Sequence, residues 1–151
     1  MTLQDILNSN LSDQHKLEII SYLQQGGNAP EQKGKTITPT ETIIVGDKEY
    51  DVAVADTQEL RKEGLEPYSY LKDDEGMLFI FDEETADYFT MENCAIDLDI
   101  VFIDSEGEVI QVSSVKAYDS KPVTCEEPYQ FVLEVNINSG IHSDKVYLGK
   151  L

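Results

Sequence analysis

The chain is short of positive charge. Lysine and arginine number 11 against 30 aspartates and glutamates, leaving a net charge of −19, and Arg61 is the one arginine. A surface this acidic repels phosphate backbones and anionic headgroups, so it argues against nucleic-acid and membrane partners and favours basic ones. Long hydrophobic runs are also missing. No stretch approaches the roughly 18 apolar residues of a membrane span. Met1-Thr2-Leu3-Gln4-Asp5 carries neither the basic region nor the unbroken apolar region of a signal peptide. The expectation is a cytoplasmic protein, or a virion protein if phage-encoded, and not a secreted one. Cysteine is scarce: Cys94 and Cys125 form no CxxC, and no histidine stands near either at metal-ligand spacing. Two free, buried thiols are expected, with a disulfide as the alternative that nothing in the sequence requires, and with no metal centre and no cofactor. Internal repeats and low-complexity segments are absent.

What is present is a β core. Gly76 follows the acidic turn Asp73-Asp74-Glu75 and opens Met77-Leu78-Phe79-Ile80-Phe81, a run dense enough in apolar and aromatic side chains to be buried on both faces of a sheet. Ile100-Val101-Phe102-Ile103 repeats the signature and ends in the turn Asp104-Ser105-Glu106-Gly107. Thr42–Val45 and Tyr50–Val54 read as a hairpin about Gly46-Asp47-Lys48. Asp56-Thr57 caps a short helix over Gln58 to Glu63, closed by Gly64, with a loop over residues 66–70. Further strands are expected at Tyr88–Met91, from Val109 to Val115, at Phe131–Val135 and at Lys145–Leu148. Seven or eight short strands with one inserted helix make a mainly β fold, a small closed or partly open barrel.

The N-terminal stretch is different. Residues 1–25 read as a helical arm of two short amphipathic helices, the first bearing Leu3, Ile6 and Leu7 and the second Leu17, Ile20 and Leu23. Helices this short do not persist alone, so their apolar faces need a surface. Residues 26–41 are polar, hold Gly and Pro without periodicity, and read as a linker; residues 42–151 form the β domain.

Several spaced motifs carry a resemblance. They are Val54-Ala55-Asp56-Thr57 with Arg61 and Gly64-Leu65; Glu75 to Phe81; Phe89-Thr90-Met91-Glu92-Asn93 before Ile96 to Ile100; and Tyr129 with Phe131–Val135 before Gly140-Ile141. In this order they resemble the DUF192 family over about residues 42–148. The resemblance implies a small compact β-barrel without an assigned activity. The chain departs from the family pattern at Thr90, where tryptophan is usual, at Glu92, where lysine is usual, and at Asp97, where proline is usual. The change at Glu92, together with the segment Gly64-Leu65-Glu66-Pro67-Tyr68, which drops an arginine of the family pattern, removes bases through which family members could hold an anion.

The candidate chemistry is weighed on single residues. Asp97 and Asp99 alternate along a strand and could form an acid pair; the plainer account has Asp99 bonding a neighbouring loop. Cys94 with His142 could form a thiol–imidazole pair, though neither carries a local signature. Arg61 is expected either to ion-pair with a carboxylate such as Glu75 or Asp99, fixing the helix on the barrel, or to hold a ligand carboxylate. The favoured expectation is a non-enzymatic binding or assembly module that docks through Leu3, Ile6, Leu7, Leu17, Ile20 and Leu23 onto a larger complex, in the manner of a phage virion-associated or decoration protein. The alternative is a small-molecule-binding domain whose cleft gathers Arg61, Tyr88, Asn93 and Asp99.

Overall fold

The computed structural model describes residues 35–142 and 144–148. The arm over 1–25, and the linker as far as residue 34, lie outside the described residues. The elements run β1 (Lys35–Thr36), β2 (Glu41–Val45), β3 (Lys48–Ala55), α1 (Gln58–Glu63), β4 (Tyr68–Tyr70), β5 (Glu75–Thr85), β6 (Leu98–Ile103), β7 (Val109–Val115), β8 (Tyr129–Asn136) and β9 (Val146–Tyr147). The fold is mainly β, as the alternation indicated.

Local chemistry explains most of the boundaries. Gly46 turns the β2–β3 hairpin at φ 64, in the left-handed region that glycine enters without strain. Thr57 caps α1 by accepting a hydrogen bond from Leu60 N at 3.2 Å. Gly64 closes it with its own N–H on Leu60 O at 2.9 Å. In the β6–β7 turn Asp104 Oδ1 accepts from Glu106 N at 3.0 Å and from Glu108 N at 2.9 Å. That turn is built by its aspartate as a hairpin device.

Seven strands form one curled sheet in the order β7-β6-β8-β5-β3-β2-β9. All its neighbours are antiparallel except β3 and β5, which run parallel because α1 and β4 supply the crossover between them. The curl brings β9 against the β6–β7 turn. Val146 N donates to Gly107 O at 2.7 Å, Val109 N to Asp144 O at 3.0 Å, and Glu108 bridges to Lys145. The result is a half-barrel stitched at one corner.

Each face of the sheet has its own core. The interior of the curl holds Ile43, Val52, Leu78, Val101, Leu133 and Val146, drawn from six strands that include β9 at one edge. The outer face holds Phe79, Ile100, Phe102 and Val132, roofed by Leu65, Met91, Cys94 and Ile96. Burial on both sides is why β5, β6 and β8 read as unbroken apolar runs. Five aromatic rings gather on the outer face about Tyr129, whose ring lies 4.9 Å from Phe102 and 5.6 Å from Phe81 in edge-on contacts. Its hydroxyl donates to the Asp87 carbonyl.

The structure corrects three expectations. Tyr88–Met91 is not a strand: Phe89 alone pairs, in a bridge to Val123. The segment crosses the outer face instead of joining the sheet, burying Met91 and turning Tyr88 and Thr90 outward, which produces the same alternation. The end of the supposed linker is structured. Lys35 and Thr36 pair in parallel with Tyr68 and Tyr70, and Ile37 is buried in the outer core. This ladder also places a strand in the segment read as a loop over 66–70; a two-residue pairing across more than thirty residues has no local signature.

Candidate functional site

A cleft of about 560 Å³ opens on the outer face, between α1 with its closing turn on one side and residues 87–94 on the other. Phe79 and Phe81 of β5 and Glu134 of β8 line its depth. Its size is that of an ordinary small-molecule pocket.

Glu134 is the exceptional residue. It stands in register with Met77 on β5 and Ile100 on β6, so its side chain shares the outer face with them. It is 5 % exposed. Its carboxyl takes no hydrogen bond or ion pair from any described residue. No sealed polar side-chain atom among the described residues lacks a partner, so the exposure left to Glu134 belongs to its carboxyl and faces the cleft. Burial pushes this carboxyl up to about 8, since ionisation there would strand a charge away from water. At neutral pH it holds its proton.

Arg61 stands on the wall of the same cleft. Its Nη1 donates to Ile80 O at 2.8 Å, and its guanidinium lies 5.0 Å from the Phe81 ring centroid. The expected ion pair to Glu75 or Asp99 is not formed. Among the described residues Arg61 meets no carboxylate within 4.0 Å, and the one ion pair is Lys116–Asp97 at 3.7 Å. The ring face and the backbone carbonyl hold α1 to the sheet in its place, and most of the guanidinium's five donors stay open.

Tyr88 and Asn93 line this cleft as well, Tyr88 largely exposed at its rim. Asp99 does not join them. It lies on the opposite face of β6, 3 % exposed, where its carboxylate accepts from Ser114 Oγ at 2.6 Å, Ser139 N at 2.9 Å and Ser139 Oγ at 2.5 Å. Asp99 thus bonds a neighbouring loop, as the plainer account held. Asp97 is occupied separately by Ala117 N at 2.7 Å. Cys94 is buried in the outer layer, while His142 is exposed beside Ile141 of the inner core, so the two are not brought together. Neither cysteine forms a disulfide among the described residues. Leu3, Ile6, Leu7, Leu17, Ile20 and Leu23 lie outside the described residues.

Glu134 is the site residue the sequence concealed. Phe131–Val135 reads as simple alternation, with every second residue turned to water. The contrary signal was the adjacent pair Val132-Leu133, both apolar, which marks a strand covered on both sides and so places Glu134 indoors.

Sheet order and crossover helix make a small curled half-barrel. A sequence profile of the DUF192 family, an uncharacterized ACR, matches residues 41–142, and the chain belongs to that family. Two solved structures are similar. One is a protein of unknown function from Novosphingobium aromaticivorans, 25% identical with a TM-score of 0.67, over 80% of this chain and 99% of that one. The other is from Sinorhizobium meliloti, assigned only provisionally as a transcription regulator, 23% identical with a TM-score of 0.68, over 74% of this chain and 96% of that one. The second likeness is one of fold alone. No curated protein sequence matches the chain. Among the described residues no helix is long and apolar enough to cross a membrane, and no group of three or more His, Cys, Asp or Glu converges as a metal-ligand set.

Proposed function

We propose that this domain is a small-molecule-binding module whose ligand enters the cleft beneath α1 and is anchored at depth by Glu134. The observation that supports this is a carboxyl buried to 5 % exposure, with no partner among the described residues, opening on a pocket of about 560 Å³. A buried polar group without a partner costs stability, commonly about 1–3 kcal/mol. Perturbed ionisable groups of this kind gather at binding and catalytic sites. Besides Arg61 and Glu134 the cleft is lined by aromatic ring faces, the Met91 thioether, the Asn93 amide, the Cys94 thiol and the charged side chains of Lys62, Glu63, Glu66 and Asp87.

Docking of the arm onto a larger assembly, phage particles included, is a separate proposal resting on residues 1–25. The cleft neither needs it nor opposes it.

The test is an amide-resolved NMR screen of the full chain with a library of small polar molecules. A ligand should move the amides of Phe89 to Cys94, of α1 and of Glu134 together. Hits whose shifts fall elsewhere, or a blank screen at millimolar concentration, would refute the cleft as a binding site.

A further inference from the structure

Two of the ionisable groups lining the cleft, Arg61 and Glu134, are of opposite sign and do not satisfy each other; Lys62, Glu63, Glu66 and Asp87 line it as well. Arg61 keeps open donors at the wall, and Glu134 keeps an unpartnered carboxyl at depth; the pair is farther apart than 4.0 Å. The hollow at the barrel's other end is different. There Asn136 Nδ2 bonds Leu71 O at 2.5 Å and Asp73 Oδ1 at 3.2 Å, and Lys48 Nζ bonds Ser139 O, so its Asn136 amide and its lysine are already engaged.

We infer that the ligand of the cleft is a small amino carboxylate, its ammonium seated on Glu134 and its carboxylate on the open edge of Arg61. This rests on the binding proposal above. Each one-ended alternative leaves a deficit. A plain acid would satisfy Arg61, leave Glu134 unpaired, and approach against the field of a chain carrying −19. A plain amine would satisfy Glu134 but enter beside an Arg61 that meets no carboxylate within 4.0 Å among the described residues. A molecule with both poles meets both needs, and its apolar spacer lies against Phe79, Phe81 and Met91. The Phe81 ring already carries the Arg61 guanidinium, so this wall tolerates charge along its face.

The experiment titrates the full chain with β-alanine, γ-aminobutyrate, δ-aminovalerate and ε-aminocaproate, and with butylamine, butyrate and butyramide as one-ended and neutral probes, following the cleft amides by NMR. One spacer length should bind at least about tenfold tighter than any one-ended or neutral probe, because it adds a second charge-assisted contact. Glu134→Gln should reduce that preferred probe to the affinity of butyrate, and Arg61→Gln to that of butylamine. The probe series on the unaltered protein decides the matter even if a variant folds poorly. One-ended or neutral probes that shift the cleft amides as tightly as every amino carboxylate would overturn the two-pole inference and leave the cleft as a binding site. Shifts at no cleft amide with any probe would overturn both.

Discussion

Glu134 stands directly opposite Met77 on the neighbouring strand β5, a carboxyl set among thioether, aliphatic and aromatic side chains. Everything unusual about this half-barrel follows from that juxtaposition. A strand covered on both faces has no wet side, so its one acid must stay protonated or find a partner from outside the fold.

The first prediction concerns pH. Glu134 is raised to about 8 in the folded chain from an ordinary value of 4.5. Below the ordinary value both states hold the proton, and the group adds no pH dependence. Between the two values only the unfolded chain ionises, so stability falls as pH rises; above about 8 both ionise and the loss is complete. Glu134→Gln should remove this slope. Urea unfolding at about pH 5 and about pH 9 should show the native chain losing a few kcal/mol more than the variant. Equal losses in both proteins would show that the carboxyl is solvated.

Asp99 sorts structure from binding. Asp99→Ala leaves Ser114, Ser139 Oγ and Ser139 N without their acceptor at the barrel end, and should cost about 1–3 kcal/mol in urea unfolding. Because the residue lies across the sheet from the cleft, ligand affinity should be unchanged. An affinity loss with little loss of stability would place Asp99 in the binding site.

Gly76 is required by contact. A Cβ there would stand 2.7 Å from Glu134 O and 2.9 Å from Val135 Cγ1, so β5 and β8 would have to separate on the inner-core face. Gly76→Ala should destabilise by about 1–3 kcal/mol, the usual penalty for overpacking, with hydrogen exchange rising first at the β5–β8 ladder.

Tyr129 ties the cleft wall to the sheet. Tyr129→Phe keeps the ring in its aromatic cluster and loses only the hydroxyl bond to the Asp87 carbonyl. The expected cost is about 1 kcal/mol, with hydrogen-exchange protection falling over residues 87–91 more than in the strands. Uniform loss of protection would mean the segment does not depend on this tether.

Much of the fold was legible because its signals are local. The Thr57 cap, the Gly64 stop, the Gly46 hairpin and the Asp104 turn each lie within a few residues of what they organise. The site was legible only in part. Arg61, Tyr88 and Asn93 do share a cleft, because α1 and residues 87–94 lie over the same face of the sheet. Asp99 was grouped there as a carboxylate within reach of Arg61, but a strand buried on both sides turns successive residues to different cores, and the sequence does not say which core each meets. The same two-sided burial hid Glu134. The β1–β4 ladder escaped notice because parallel pairing between distant short segments is decided by packing, as with Ile37 against the outer core.

The most direct measurement follows the Glu134 side-chain carboxyl carbon by NMR across pH, in the free chain and with the preferred amino carboxylate bound. The account predicts a titration near 8 in the free protein that moves well down when the ligand's ammonium arrives. A titration in the ordinary carboxylate range, indifferent to every probe, would contradict it.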